Sequence, residues 1–263
     1  MPTLNDDLAL AQRLADAAGE AIRPFFRAEF EREDKADSSP VTEADRAAES
    51  AIRAILKTER PEDGVIGEEF GRERQGASRQ WVLDPIDGTV SFIAGRPTFG
   101  TLIALMQDGW PVLGVIDQPI AGERWVGAMG QATEFNGAPA ETRRCRALAG
   151  AMVATTSPHC FSGEESNAFL RVVAKAQAQK RQGPIYGGDC YSYGLLASGH
   201  IDIVIEAGLA IHDFAALIPV VEGAGGHMTD WFGEPLSGSS DGNVIALGDP
   251  ARLDDVLEAL HGN

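Results

Sequence analysis

Apolar residues open the chain at helical spacing. Leu4, Leu8, Ala11, Ala15, Ala18, Ile22 and Phe25 follow at alternating steps of four and three, which is one face of an amphipathic helix. Thr3 with Asp6 predicts the N-cap and an acidic first turn, and Pro24 predicts the kink or end. A second helix is predicted from Glu43 to Lys57, with Ala44, Ala47, Ala48, Ala51, Ile52 and Ile55 inward and Pro61 and Gly64 stopping it. Residues 28–40, between the two, are polar and charged and predict an exposed loop.

The period then changes. Trp81–Leu83 is a short apolar run that predicts a strand ending at Asp84-Pro85-Ile86-Asp87-Gly88-Thr89. Thr98–Met106 and Pro111–Ile116 flank Asp108-Gly109, a strong hairpin signal. Glu123–Ala128 predicts the next strand, and Asn136-Gly137 another turn. After about residue 147 strands (Met152–Thr155, Ile201–Glu206, Val244–Leu247) alternate with helices (Glu164–Gln179, Tyr191–Ser198, Phe214–Glu222, Ala251–Leu260). The first part, 1–147, therefore predicts helices on an antiparallel sheet, and 148–263 an α/β layer. No internal repeat is visible.

Composition narrows the classes. The 263 residues are 44% hydrophobic and 23% charged, ordinary for a globular chain. The longest apolar run, Phe99 to Met106, is far short of the ~18 residues of a membrane span. The formal charge of −17 argues against nucleic acid or an anionic membrane as partner. Met1–Asp7 is acidic and polar, unlike a secretory or transit segment. Three cysteines (Cys145, Cys160, Cys190) without CxxC spacing predict neither a disulfide framework nor a structural zinc; a reducing cytoplasm fits. The five histidines lack metal-binding spacing, and neither a serine-hydrolase elbow nor a nucleotide P-loop occurs.

Acids at the ends of apolar runs carry the candidate chemistry. Asp84 and Asp87 lie on one rigid turn, with Gly88 for tightness and a hydroxyl on Thr89. Two carboxylates so placed repel unless a cation sits between them, and hard oxygen ligands suit Mg²⁺ or Mn²⁺ rather than Zn²⁺. Further acids follow short apolar stretches or begin helices: Glu68-Glu69 after Val65-Ile66, Asp45 after Val41-Thr42, and Asp213 in His212-Asp213-Phe214. Each alone reads as a solvated face, a cap or a first-turn dipole partner. The haloacid-dehalogenase phosphatases also place paired acids after a strand, but there one residue separates them; here Pro85 and Ile86 do.

In order and spacing, Val41, Thr42 and Asp45, Gly67-Glu68-Glu69, the 84–89 turn, Asp213 and Ala224-Gly225-Gly226 resemble the inositol monophosphatase family of magnesium-dependent phosphatases, across essentially the whole chain. The resemblance implies a layered αβαβα sandwich of the inositol monophosphatase and fructose-1,6-bisphosphatase type, α+β and α/β in its two parts. It implies two or three Mg²⁺ per site, with Mn²⁺ as a substitute, held by Glu68, Asp84, Asp87, Asp213 and the carbonyl of Ile86, Asp84 bridging two of them. Thr89, paired with Asp45, and Glu68 would orient and deprotonate a metal-activated water, and the N–H groups of Gly88 and Thr89 would cradle the phosphate. His212 stands where the family usually has Trp. A homodimer and lithium sensitivity are family expectations.

Within the family, Ser91-Phe92-Ile93, Gly95-Arg96-Pro97, Phe99–Leu105, Ala154–Pro158 and Gly187–Tyr191 resemble the histidinol-phosphate phosphatases, which convert L-histidinol phosphate to L-histidinol and phosphate in histidine biosynthesis. The resemblance places Asp189 and Glu206 against the organic part of the ester. Two carboxylates there suit an ammonium and an imidazole better than a row of hydroxyls. An inositol-1-phosphate phosphatase, a broad sugar or nucleotide monophosphatase, and a catalytically silent scaffold are the alternatives.

Overall fold

The structure, a computed structural model, describes residues 2–28, 32–34, 40–178 and 183–262, with side chains described outside 32–34 and 40–42. Helix α1 (Leu4–Ile22) opens on a capping box: the Thr3 hydroxyl accepts the Asp6 N–H at 3.3 Å, and the Asp6 carboxylate accepts the Thr3 N–H at 2.8 Å. It runs into a 3-10 turn over Arg23–Phe25, where Pro24 offers no N–H to extend the ladder. Strands β1 (Arg32–Asp34) and β2 (Pro40–Thr42) pair antiparallel. The segment expected as a loop therefore holds a pair of short strands; polar strands give no alternation to read, and 29–31 and 35–39 lie outside the described residues. Helix α2 (Glu43–Glu59) ends just before Pro61.

Strands β3 (Gly64–Gly67), β4 (Gly71–Glu73) and β5 (Arg79–Asp87) lead into a short helix α3 (Thr89–Ile93). A meander follows: β6 (Gly100–Gln107), β7 (Trp110–Gln118), β8 (Glu123–Ala128), β9 (Glu134–Phe135) and β10 (Ala138–Pro139). These form an eight-stranded sheet in the order β10-β9-β8-β7-β6-β5-β3-β4, antiparallel except where β3 meets β5. The β6–β7 turn holds Asp108 at φ 51° and Gly109 at φ 87°, the left-handed pair that a tight hairpin needs.

The second sheet is built from β11 (Val153–Thr155), α4 (Gly163–Ala176), β12 (Ile185–Tyr186), α5 (Asp189–Ala197), β13 (Ile203–Glu206), α6 (Ile211–Phe214), α7 (Leu217–Gly223), β14 (His227–Thr229), β15 (Val244–Leu247) and α8 (Leu253–His261). Its order is β12-β11-β13-β15-β14, with β11 parallel to both neighbours. The single helix expected over Phe214–Glu222 is two helices. Pro219 has no N–H to give the carbonyl four residues back, at Ala215, and the break falls there.

Period-two alternation sorts the strands into layers. On β5 and β6, Trp81, Leu83, Ile103 and Leu105 face α1 and α2, whereas Val82, Leu102 and Ala104 face α5 and α7. On β13 and β15, Val204 and Ala246 share that middle layer, and Ile203, Ile205, Ile245 and Leu247 face α4 and α8. The result is the αβαβα sandwich. Each fully buried Val, Leu or Ile side chain among them contributes ~1.5–3 kcal/mol. Helix α7 lies hard on the first sheet: a Cβ on Gly114 would meet the Ala216 carbonyl oxygen at 1.9 Å, and one on Gly127 the Pro219 carbonyl oxygen at 2.3 Å. Among the described residues no helix is long and apolar enough to cross a membrane.

Candidate active site

The acid-bearing turn is part of a strand. β5 continues through Asp84, Pro85, Ile86 and Asp87 instead of ending at Leu83. Its register on β6 slips there: Asp84 pairs with Leu102 and Asp87 with Gly100, so three steps on β5 answer two on β6. Pro85 cannot donate to the ladder, which is where a bulge forms at low cost. The Thr101 hydroxyl donates to the Pro85 carbonyl at 2.8 Å, and the Ile86 N–H to Asp84 Oδ1 at 3.1 Å. In a regular strand, side chains three apart point to opposite faces. The extra residue brings Asp84 and Asp87 to the same side.

Asp213 arrives from the second sheet, beyond the end of β13. It is the third residue of α6 rather than its N-cap, and its Oδ2 accepts the Ala210 N–H at 2.7 Å. Asp84, Asp87 and Asp213 each offer one carboxylate oxygen within 4.8 Å of the others. Glu68 follows β3, its N–H donating to the Leu83 carbonyl at 3.2 Å. Asp84 is 1% exposed. Burial first, then the charges of Glu68, Asp87 and Asp213, hold its carboxyl well above the ordinary carboxylate range. Asp87 is pushed the same way by burial, Asp189 and Asp213. Asp213 is raised by burial, against the opposing effect of His212, whose Nε2 lies 3.5 Å from Asp213 Oδ1. A cluster of this kind, all oxygen and too crowded to ionise alone, fits a hard divalent cation. The Ile86 carbonyl accepts the Thr89 hydroxyl at 3.1 Å and keeps a second lone pair.

Helix α2 supports this edge from below. Asp45 and Glu49 stand one turn apart and are both buried. Glu49, 0% exposed, accepts the N–H groups of Glu69 (2.8 Å) and Phe70 (3.2 Å) and pairs with Arg53 Nε at 2.7 Å. A Cβ on Gly67 would lie 1.9 Å from Glu49 Oε1, so only glycine fits. Glu49 thus holds the backbone directly after Glu68 and packs against Gly67 before it. Sequence reasoning passed over it, although an acid beside the Ala44–Ala48–Ile52 stripe is itself a signal of a buried, partnered carboxylate.

Helix α5 closes the other side. Its Cys190 N–H donates to Asp87 Oδ2 at 2.6 Å. Asp189 is the first residue of α5, after Gly188 at the cap; it holds φ at 45° and accepts the Ser91 hydroxyl at 3.2 Å. Its carboxylate lies so close to the turn that a Cβ on Gly88 would meet Oδ2 at 2.7 Å. Glu206 ends β13, accepting the Thr156 N–H at 2.6 Å and the Thr155 hydroxyl at 3.2 Å; burial pushes its carboxyl up to about 7. Asp87, Asp213, Asp189, Glu206, Thr156 and Tyr193 line one cavity of about 140 Å³. A larger cavity, about 610 Å³, lies elsewhere, beside Trp110, Met129, Ile218 and His227.

The sequence model of the inositol monophosphatase family matches residues 4–261. The chain is 49% identical over 261 residues, 96% of its own length and 74% of the relative's, to the bifunctional phosphatase IMPL2, chloroplastic, of Arabidopsis thaliana. It is 38% identical over 267 residues, 98% of each chain, to a histidinol-phosphatase of Mycobacterium tuberculosis. In structure it is similar to an inositol monophosphatase from Zymomonas mobilis, with TM-score 0.90, 54% identity, and coverage of 99% of this chain and 100% of that one.

Proposed function

The chain belongs to the inositol monophosphatase family and is a phosphoric monoester hydrolase, and from that premise we propose that its substrate is L-histidinol phosphate, hydrolysed to L-histidinol and phosphate with Mg²⁺. The observation that carries the reading is the single cavity that joins Asp87 and Asp213 to Asp189 and Glu206. One end offers acids for cations that receive a phosphate; the other offers acids for an amine. Carboxylates there can accept from hydroxyls too, but a cationic amine adds charge pairing to the hydrogen bonds. At about 140 Å³ the cavity suits a small ester, well below the ~300–1,000 Å³ that holds drug-sized ligands. The histidinol-phosphatase relative supports the same reading.

Glu68, Asp84, Asp87, Asp213 and the Ile86 carbonyl would hold the cations. Bound there, the cations would supply Lewis acidity, a lowered water pKa and neutralisation of the phosphate charge. The protein's own part is orientation. Cys190 N–H fixes the Asp87 rotamer, and Thr101 fixes the Pro85 peptide so that the Ile86 carbonyl is held. The Thr89 hydroxyl, 3.1 Å from the Ile86 carbonyl, together with Asp45 and Glu68, would position and take the proton of the attacking water. The Gly88 and Thr89 N–H groups would meet the phosphate. Three free thiols suit a reducing cytoplasm, and exposed Trp110 and Met129 offer apolar surface for a homodimer.

The test is kcat/KM with Mg²⁺ on L-histidinol phosphate and on myo-inositol 1-phosphate. Preference for the first is expected. Preference for the second would sink the substrate assignment and favour the inositol reading, which the Zymomonas mobilis neighbour supports. Asp189→Ala should damage the amine ester selectively.

A further inference from the structure

The cavity of about 610 Å³ beside Trp110 shares no lining residue with the catalytic one. Helix α7 separates them: Leu217 lines the catalytic cavity, and Ile218, Pro219 and Glu222 line this one. Its volume falls within the ~300–1,000 Å³ of ligand pockets. It also has depth. Ala128, Ile218, Met228 and Leu236 line it and are buried, whereas Trp110 and Met129 line it and are 50% and 58% exposed. A buried apolar floor below an exposed indole and thioether suits the body of a flat ring. A flat protein face would cover the rim and leave the floor unfilled.

Charge says what else that ring carries. Among the described residues no Lys or Arg lines the cavity, and Glu222 is the carboxylate that does. Its Oε1 stands 3.6 Å from His227 Nδ1, too long for a hydrogen bond. Burial holds its carboxyl above the ordinary range, against the opposing effect of His227. That is the mark of an acid that has given up more water than it has gained in partners. An anion entering here would meet this acid and a formal chain charge of −17; a cation is drawn to both. Trp110 adds the same preference, because an indole face attracts an ammonium.

We propose that this cavity is a second ligand site, for an aromatic or heteroaromatic ammonium, with its ring between Trp110 and the floor and its N–H groups on Glu222. The site does not depend on which ester the enzyme hydrolyses. Tryptamine is the test ligand, and 3-indolepropionate, an indole bearing a carboxylate, is the control. Calorimetry on the full chain should show saturable binding of the amine and none of the acid at the same concentrations. Glu222→Gln should weaken the binding about tenfold, the worth of a hydrogen bond to a charged partner, and Trp110→Ala about three- to fivefold. Both side chains are about half exposed, so both variants should keep the wild-type unfolding midpoint, and the wild-type kcat/KM on whichever ester the enzyme prefers. If one variant loses its midpoint, the other decides. Asp189→Ala, in the catalytic cavity, should leave the binding unchanged. Equal binding of the two indoles, or binding unchanged in E222Q and W110A, overturns the proposal. Binding lost in D189A and kept in the other two places the amine in the catalytic cavity and also overturns it. So does binding that disappears as sedimentation shows the chain dimerising, with W110A abolishing the dimer, since a second copy then covers the pocket.

Discussion

Glu49→Gln tests whether the grip on the Glu68 segment is what prepares the metal edge. The carboxylate accepts three hydrogen bonds, from the Glu69 N–H, the Phe70 N–H and Arg53 Nε. A glutamine keeps one acceptor oxygen and turns an NH₂ toward groups that are themselves donors. Hydrogen bonds to a charged acceptor contribute ~1.5–3 kcal/mol each, and breaking a buried ion pair costs ~3–5 kcal/mol. Arg53 keeps two other partners, the Gly71 carbonyl at 2.6 Å and Glu73 at 2.8 Å, which places the loss at the low end, about 3 kcal/mol. In a chain of this size 1 kcal/mol moves the midpoint by about 2–4 °C, so a drop of about 6–12 °C is expected. The released Glu68 should weaken cation binding by about 10–100-fold, as loss of a supporting contact behind a ligand does. Calorimetry without metal reads the first effect, and a Mg²⁺ titration of phosphate release reads the second. An E49Q enzyme with the wild-type midpoint and the wild-type Mg²⁺ requirement would refute the argument.

Asp213→Asn should separate stability from function. It relieves repulsion in the Asp84–Asp87–Asp213 cluster, so the metal-free midpoint should rise while turnover falls by at least ~100-fold; a fall in both would mean that Asp213 is a structural acid. The cluster also fixes the pH behaviour of the metal-free protein. Its carboxyls are raised in the folded state, so the folded chain binds more protons than the unfolded one above the ordinary carboxylate pKa. The stability this contributes is full below that pKa and is lost as pH rises through the raised values. Mg²⁺ competes with those protons, so its increment in midpoint should grow from pH 5 to pH 8; an increment constant or larger at pH 5 would contradict it.

Local pattern made much of this protein legible. The Thr3–Asp6 cap, both N-terminal helices, the Asp108-Gly109 hairpin and the strand Glu123–Ala128 follow from spacing of three and four, alternation and turn chemistry, each set by neighbours a few residues apart. The acids of the site were visible too, through motif order and the apolar runs before them. Their convergence was not. Only the register slip opposite Gly100 turns Asp84 and Asp87 to one side. Asp213 meets them across two sheets, and the Asp189 carboxylate lies against Gly88.

Glu49 and Tyr193 mark the same limit. In the sequence one is an acid in a helix and the other an aromatic on an apolar face. In the fold one binds the backbone twenty residues away, and the other buries a hydroxyl that has no hydrogen-bond partner among the described residues. Periodicity reports which face of an element is buried, because that is a property of the element's own repeat. What that face meets depends on contacts between residues such as 87 and 190, distant along the chain, whose geometry is set only when the layers pack.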